Sequence, residues 1–174
     1  NLGLNAKLKA TVTHPINIEA ADFNKNGSVD AVMGFWLKDK DGKLNNFPLP
    51  QREILIATIP SVRKSYNLFD DYASADMNSF ISKLNVVPLF SAKATELKSI
   101  YLENLGGGKF SIHALPAEAQ LAPQFGMTVG DFNGDENLDV LMVGNSYSAD
   151  VSTGQYDASY GVCLLGDGQG HFSV

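Results

Sequence analysis

The chain alternates short apolar runs with polar segments rich in glycine, asparagine and aspartate, and this spacing predicts mainly β-strands. The runs are four to eight residues long, which is the usual length of a strand. They cover residues 17–21, 29–36, 100–103, 110–115, 125–130, 138–143 and 161–165. Short strands separated by glycine turns are typical of a β-sandwich or a β-propeller. We therefore predict a mainly β protein.

Residues 38–96 have a different pattern, which predicts a helical insertion. Apolar residues in its second half recur at the spacing of an amphipathic helix, namely at Ala73, Met77, Phe80, Ile81 and Leu84. A shorter helix is predicted after Pro60, from the positions of Val62, Tyr66 and Phe69. We expect these helices to pack against one face of the strands, with the docking of a partner as the alternative.

Two nine-residue segments share one pattern, which indicates an internal repeat. Residues 22–30 and 131–139 both read Asp-Phe-Asn-x-(Asn/Asp)-x-x-(Val/Leu)-Asp, and an apolar run follows each of them. Residues 101–110 and 163–172 each contain an apolar run, a glycine-rich turn and a phenylalanine, which is the pattern of a β-hairpin. This repetition favours a propeller over a sandwich.

The fold expected from the repeat is a partial β-propeller with a helical insertion. We place repeat one at about residues 16–115, with the insertion at about 38–96, and repeat two at about 122–174. Two blades cannot close a ring that needs four or more. Residues 1–174 are therefore expected to be a fragment of a larger propeller, whose remaining blades would be its partner within the full-length protein.

Both nine-residue segments have the oxygen donors of a calcium loop. Side chains at positions one, three, five and nine, with the backbone carbonyl of position seven, can surround a hard cation. The predicted ligands are Asp22, Asn24, Asn26, Ser28 and Asp30 in loop one, and Asp131, Asn133, Asp135, Asn137 and Asp139 in loop two. A strand-like run follows each loop, where an EF-hand would continue into a helix. We predict two structural Ca²⁺ sites that do not act as switches.

The two loops are expected to differ in affinity. Loop one has Gly27 at position six, where a tight loop favours a residue without Cβ, but it has only two carboxylates. Loop two gains a third carboxylate from Asp135 and has Glu136 at position six. We expect charge to outweigh backbone geometry, so that loop two binds calcium more tightly.

These motifs resemble the FG-GAP/VCBS repeat family, whose members build integrin-α-like β-propellers with calcium loops between blade strands. The resemblance is closest to the bacterial exported VCBS proteins related to the ASPIC/UnbV type. It is carried by residues 125–126, 130–135, 138–139 and 166–168. The long insertion departs from the family pattern and puts a regular blade count in doubt.

The resemblance implies a location outside the cytoplasm, either extracellular or in the bacterial cell envelope. It also implies a non-catalytic role in adhesion, ligand binding or scaffolding. The alternative is an accessory, non-catalytic domain of a secreted polysaccharide-active enzyme or of another envelope enzyme. Both roles are compatible with a protein or a glycan as the ligand.

Composition and charge exclude several other classes of partner. The chain has 13 basic and 19 acidic residues, with a net charge of −6 and no dense run of lysine or arginine. Binding to nucleic acid is therefore not expected. No apolar run reaches the roughly 20 residues that cross a bilayer, so direct membrane insertion is not expected either. The glycine runs lead into strands and not into helix N-termini, which disfavours nucleotide binding.

We expect no catalytic activity in this segment. The three histidines, His14, His113 and His171, lie in no triad or metal motif and are expected at the surface. Ligand binding is expected in a surface loop. The tyrosine-rich connection at residues 145–157 is the preferred loop, because tyrosine provides contact area at a small entropic cost.

Overall fold

The structure, a computed structural model, describes residues 1–148 and 153–174 and is mainly β, with 34% strand and 17% helix. The chain divides into two compact units. The first unit is Lys9–Thr95, and the second unit combines Asn1–Leu8 with Glu96–Val174. All seven predicted strands are present, and every sheet is antiparallel. Within the described residues no sheet closes on itself.

The first unit contains a four-stranded sheet in the order β3-β2-β1-β4. Its strands are β1 (Ile16–Ala21), β2 (Asp30–Lys38), β3 (Leu44–Pro48) and β4 (Phe90–Ala94). Strands β3 and β4 fall inside the segment predicted to be a helical insertion. Their sequences, Leu-Asn-Asn-Phe-Pro and Phe-Ser-Ala-Lys-Ala, contain none of the β-branched residues that are typical of strands, so only their pairing with β2 and β1 identifies them.

Four short helices connect β3 to β4. They are α1 (Arg52–Thr58), α2 (Ser61–Ser65), α3 (Phe69–Ala73) and α4 (Met77–Leu84). The predicted amphipathic helix is present as α4, but it starts after Ala73 because the carboxylate of Asp76 caps it and accepts a hydrogen bond from the Ser79 N–H at 2.8 Å. None of the helices in the described ranges is long and apolar enough to cross a bilayer.

An aromatic cluster holds the helices against the first sheet, as predicted. Phe80 of α4 is fully buried and stacks on Tyr66, with ring centroids 6.0 Å apart. Phe23, which lies in loop one, reaches the same cluster with its centroid 6.4 Å from that of Phe80. Val32 supplies the contact from the centre of the sheet. Burial of this apolar surface is the main force that joins the helices to the strands.

The second unit contains a hairpin and a second four-stranded sheet. The hairpin pairs β5 (Ile100–Gly106) with β6 (Lys109–Ala114), and the sheet contains β7 (Gly126–Gly130), β8 (Asp139–Val143), β9 (Val162–Gly166) and β10 (Phe172–Ser173). The sheet order is β10-β9-β8-β7, so each strand pairs with its neighbour in sequence. The core of this unit includes Met142, Val162 and Leu164, with Ala119 from a 3₁₀ turn at Ala117–Gln120.

The two predicted glycine-rich hairpin turns are both present. Gly106, Gly107 and Gly108 have φ angles of 81°, 60° and 76°, which only glycine adopts without strain. The hairpin that they close forms its own two-stranded sheet in the second unit. Strands β3 and β4 therefore complete the sheet that contains loop one. The hairpin, which the repeat had grouped with loop one, is not part of that sheet.

Replacing Phe80 with alanine tests the role of the aromatic cluster. The substitution leaves a cavity among Phe23, Tyr66 and Tyr72, and we expect it to lower the free energy of unfolding by about 3–5 kcal/mol. Urea unfolding followed by circular dichroism measures this loss. Phe90→Ala is the matched control, since Phe90 lies in the same unit and is 59% exposed. An equal effect of the two substitutions would contradict the role assigned to Phe80.

Candidate functional site

The two predicted calcium loops occupy equivalent places in the two sheets. Loop one joins β1 to β2, and loop two joins β7 to β8. In each case the aspartate at position nine is the first residue of the second strand. Asp30 pairs with Ala21, and Asp139 pairs with Gly130. The sequence repeat therefore corresponds to a repeated β-turn-β element.

In loop one, side-chain oxygens accept hydrogen bonds from backbone N–H groups of the same loop. Asp22 accepts hydrogen bonds from the N–H groups of Asn26, at 3.0 Å, and Gly27, at 2.9 Å. The side-chain oxygen of Asn24 accepts from Asn26 N–H at 3.1 Å, and that of Asn26 accepts from Ser28 N–H at 2.8 Å. These bonds satisfy backbone donors that a tight turn would otherwise leave unpaired.

Loop two repeats this hydrogen-bond pattern position by position. Asp131 accepts from the N–H groups of Asp135, at 3.2 Å, and Glu136, at 3.0 Å. Asn133 accepts from Asp135 N–H at 3.0 Å, and Asp135 accepts from Asn137 N–H at 2.8 Å. The shared acceptors at positions one, three and five show that both loops have the same local conformation.

Both loops also place the same two residues in the left-handed region. At position four, Lys25 has a φ of 59° and Gly134 a φ of 83°. At position six, Gly27 has a φ of 86° and Glu136 a φ of 68°. The sequence indicated the unfavourable Glu136 but not the equally unfavourable Lys25. Each loop has one glycine and one strained residue, so the predicted geometric advantage of loop one is absent.

The aspartates at position nine differ in their surroundings. Asp139 is fully buried, and its two oxygens accept hydrogen bonds from Phe132 N–H at 2.8 Å and from Gly166 N–H at 2.9 Å. It thereby ties loop two to β9. The Oδ2 atom of Asp30 is buried and has no hydrogen-bond partner among the described residues. Only the folded structure distinguishes these two aspartates, which occupy the same place in the motif.

The donor set of the loops fits calcium in its chemistry. Carboxylate and amide oxygens are the ligands that Ca²⁺ prefers, and a buried carboxylate oxygen without a partner, as in Asp30, is favourable next to a cation. Hydrogen bonds from the Asn133 amide and the Asn137 N–H hold the pKa of the exposed Asp135 carboxyl below its usual range, which favours its charged form. Among the described residues, no group of three or more His, Cys, Asp or Glu side chains is arranged to hold a metal. Asparagine, serine and backbone oxygens would have to supply the remaining ligands.

The loops differ in how they contact the rest of their units. The side-chain amide of Asn24 donates to the carbonyl of Thr58, at the end of α1, at 2.9 Å. Phe23 is 3% exposed in the aromatic cluster, whereas Phe132, at the same position of loop two, is 50% exposed. Loop one is therefore attached to the helices. The sequence repeat did not predict this difference between the loops, because the difference depends on the helices that pack against loop one.

The three histidines have neighbours that the sequence did not predict. His14 contacts the ring of Trp36 edge-on, with centroids 4.7 Å apart. His113 lies 3.0 Å from a carboxylate oxygen of Glu103, and His171 lies 2.9 Å from one of Asp167. Both contacts are exposed to solvent, where hydrogen bonds or ion pairs of this kind contribute little to stability.

The tyrosine-rich connection lies partly outside the described residues, which omit 149–152. In the described part, Ser146 and Tyr156 form a β-bridge with hydrogen bonds of 2.7 and 3.0 Å. Tyr156 is only 8% exposed, whereas Tyr147 is 65% exposed. Of these two tyrosines, only Tyr147 is available to a ligand.

Glycine substitutions test the left-handed positions of the loops. Lys25→Gly and Glu136→Gly remove strain from a left-handed residue, and we expect each to raise the free energy of unfolding by about 0.5–1 kcal/mol. Gly27→Ala and Gly134→Ala are the matched controls. A Cβ at either glycine meets no atom within 4 Å, so alanine introduces backbone strain alone and lowers stability. The stability of all four variants is measured by thermal unfolding in the presence of a chelator. A loss of stability in Lys25→Gly or Glu136→Gly would contradict the assignment of strain to these two residues.

Replacing Asp139 with alanine tests the tie between loop two and β9. The change leaves the N–H groups of Phe132 and Gly166 without their acceptor, and we expect a loss of about 2–4 kcal/mol in unfolding free energy without calcium. Asp135→Ala is the control and should have a much smaller effect, because Asp135 is exposed. Equal losses, measured by urea unfolding in chelator, would show that burial of Asp139 is unimportant.

Comparison of the chain with protein-family models, with curated proteins and with solved structures found no match. The resemblance to FG-GAP/VCBS repeats therefore stays a prediction from the motifs.

Proposed function

We propose that this chain is a calcium-stabilised, non-catalytic binding segment of a β-propeller of the FG-GAP/VCBS type. The observation that carries the proposal is the repeated loop. Two nine-residue segments with the donors of a calcium loop fold with the same hydrogen bonds, at the same place between paired strands. A conformation that is repeated together with its oxygen donors favours a shared ligand over two unrelated Asx turns.

The order of strands in the second unit supports the propeller. A propeller blade is a four-stranded antiparallel sheet whose strands pair in sequence order. The sheet β10-β9-β8-β7 has this order, whereas the sheet β3-β2-β1-β4 has its last strand next to its first. A ring of four or more blades would require further blades from the full-length protein.

In this proposal the cation has a structural role. Both loops join strands directly, and their side-chain oxygens already hold the backbone in shape. A cation bound to such a loop stabilises the folded state through mass action and requires no change of conformation. An extracellular or envelope location, which the motif resemblance implies, would require affinities of only about 0.1–1 mM, as is typical of modules that work outside the cell.

A calcium titration tests the proposed function. At a calcium concentration of 100 times the Kd, binding adds about 2.7 kcal/mol to the free energy of unfolding, so we expect the Tm to rise by several degrees. Calorimetric titration should show two binding events. Asp22→Asn and Asp135→Asn, one in each loop, should each weaken one event and reduce the rise in Tm.

Asp39→Asn is the matched control for this titration. Asp39 accepts hydrogen bonds from the N–H groups of Asp41 and Lys43, both at 2.9 Å, in an ordinary turn without the nine-residue pattern. This variant should retain both calcium-binding events. A protein whose Tm and heat of titration do not respond to calcium, or respond equally to magnesium, would contradict the proposal.

A further inference from the structure

An apolar pocket of about 580 Å³ lies in the first unit, between strands β2 and β3, the connection that follows β3, and helix α3. Its volume is within the range of small-molecule sites, which is about 300–1,000 Å³. Aromatic rings, prolines and leucines contribute most of its apolar lining. The lining includes no residue of the two calcium loops, so the pocket is a separate feature of the molecule.

Strand register builds one wall of this pocket. Phe35 of β2 pairs with Phe47 of β3, so the two rings lie side by side on one face of the sheet. Leu37 lies two residues further along β2 and is therefore on the same face. Leu37 is 47% exposed, and neither phenylalanine is fully buried. The wall is thus an apolar surface that remains accessible to a ligand.

The aromatic side chains of α3 are held in place at the same pocket. Tyr72 donates its hydroxyl hydrogen to the carbonyl of Pro50 at 2.5 Å, and burial raises the pKa of this hydroxyl, so that it keeps the hydrogen. The guanidinium of Arg52 lies 5.0 Å from the centre of the Phe69 ring. These contacts fix both rings before a ligand enters, which lowers the entropic cost of binding.

The charges of the pocket favour an anionic ligand. Three basic and two acidic side chains line it, whereas the whole chain has 13 basic and 19 acidic residues. Both acidic side chains already have partners. Asp39 accepts from two backbone N–H groups of its turn and from the amide of Asn45, and Glu53 pairs with Arg52.

The other two basic side chains, Lys38 and Lys40, are available to a ligand. Both are exposed, and neither side chain forms an ion pair or a hydrogen bond with another described residue. The side chain of Arg52 is only 10% exposed, so its positive charge acts on the pocket with little screening by solvent. A carboxylate near the two lysines gains an attraction that a neutral group lacks.

We propose that this pocket binds an aromatic carboxylate. The ring of the ligand packs against Phe35, Phe47 and Phe69 in the offset or edge-on contacts that aromatic rings prefer, and its carboxylate lies beside Lys38 and Lys40. This inference rests on the proposed role as a binding segment and names a ligand class for that role. It does not depend on calcium, because the pocket and the loops have no residue in common.

Ligand-observed NMR tests this inference. The protein is titrated with phenylpropanoate, cinnamate and naphthylacetate, and the Kd is obtained from the saturation-transfer signal. We expect saturable binding of at least one of these compounds, with a Kd of about 0.1–5 mM. The neutral amide of the same compound should bind about threefold more weakly or worse, because it lacks the charge. Only the carboxylate should bind more weakly at high salt.

Two pairs of variants locate the site. Leu37→Ala should raise the Kd about fivefold, whereas Leu44→Ala, at a leucine that is 42% exposed and lies outside the pocket, should leave it unchanged. Lys40→Gln should raise the Kd about two- to fivefold, whereas Lys43→Gln, in the same turn but outside the pocket, should not. All four residues are exposed, so an unchanged Tm is expected for each variant. Equal effects on the Kd within either pair would overturn the inference.

Other results would also overturn the assignment of the ligand. Saturable binding of none of the three compounds up to about 20 mM would exclude this ligand class. Equal affinities for a carboxylate and its amide would exclude an anion, and cyclohexylpropanoate that binds as tightly as phenylpropanoate would exclude an aromatic ligand. A dimer in sedimentation that Leu37→Ala dissociates would assign the pocket to a second copy of the chain.

The calcium dependence of the Tm is measured on the same samples, so that the two proposals fail separately. A rise in Tm with calcium but without binding of a carboxylate would overturn only this inference. A missing rise in Tm would overturn the proposed function.

Discussion

Each four-stranded sheet depends on a tight turn whose backbone N–H groups are held by aspartate and asparagine side chains. A turn of this kind exposes several donors that the flanking strands cannot pair. In both loops the aspartate at position one accepts two of these donors, and the side chains at positions three and five accept others. The first strand pair of each sheet therefore starts from a local structure that the sequence encodes within nine residues.

The surroundings of the two loops then give the same motif different roles. In the first unit, Phe23 enters the aromatic cluster and the helices cover one side of the loop. In the second unit, Phe132 is half exposed, and the buried Asp139 instead ties the loop to β9. Loop one is thus held by apolar packing and loop two by hydrogen bonds. Under the proposed function, the removal of calcium would therefore affect the two loops unequally.

The sequence by itself determined the local features of this protein. The alternation of apolar runs and glycine turns was sufficient to predict seven strands, and the spacing of aspartate and asparagine was sufficient to predict the positions of the two loops. Both kinds of element depend on contacts between near neighbours in the chain. The α4 helix was predictable for the same reason. Tertiary structure alone decided the pairing of β3 and β4 and the burial of Phe23 and Asp139. These features join residues that are distant in sequence, and their environment is set by packing and register, which no local pattern encodes.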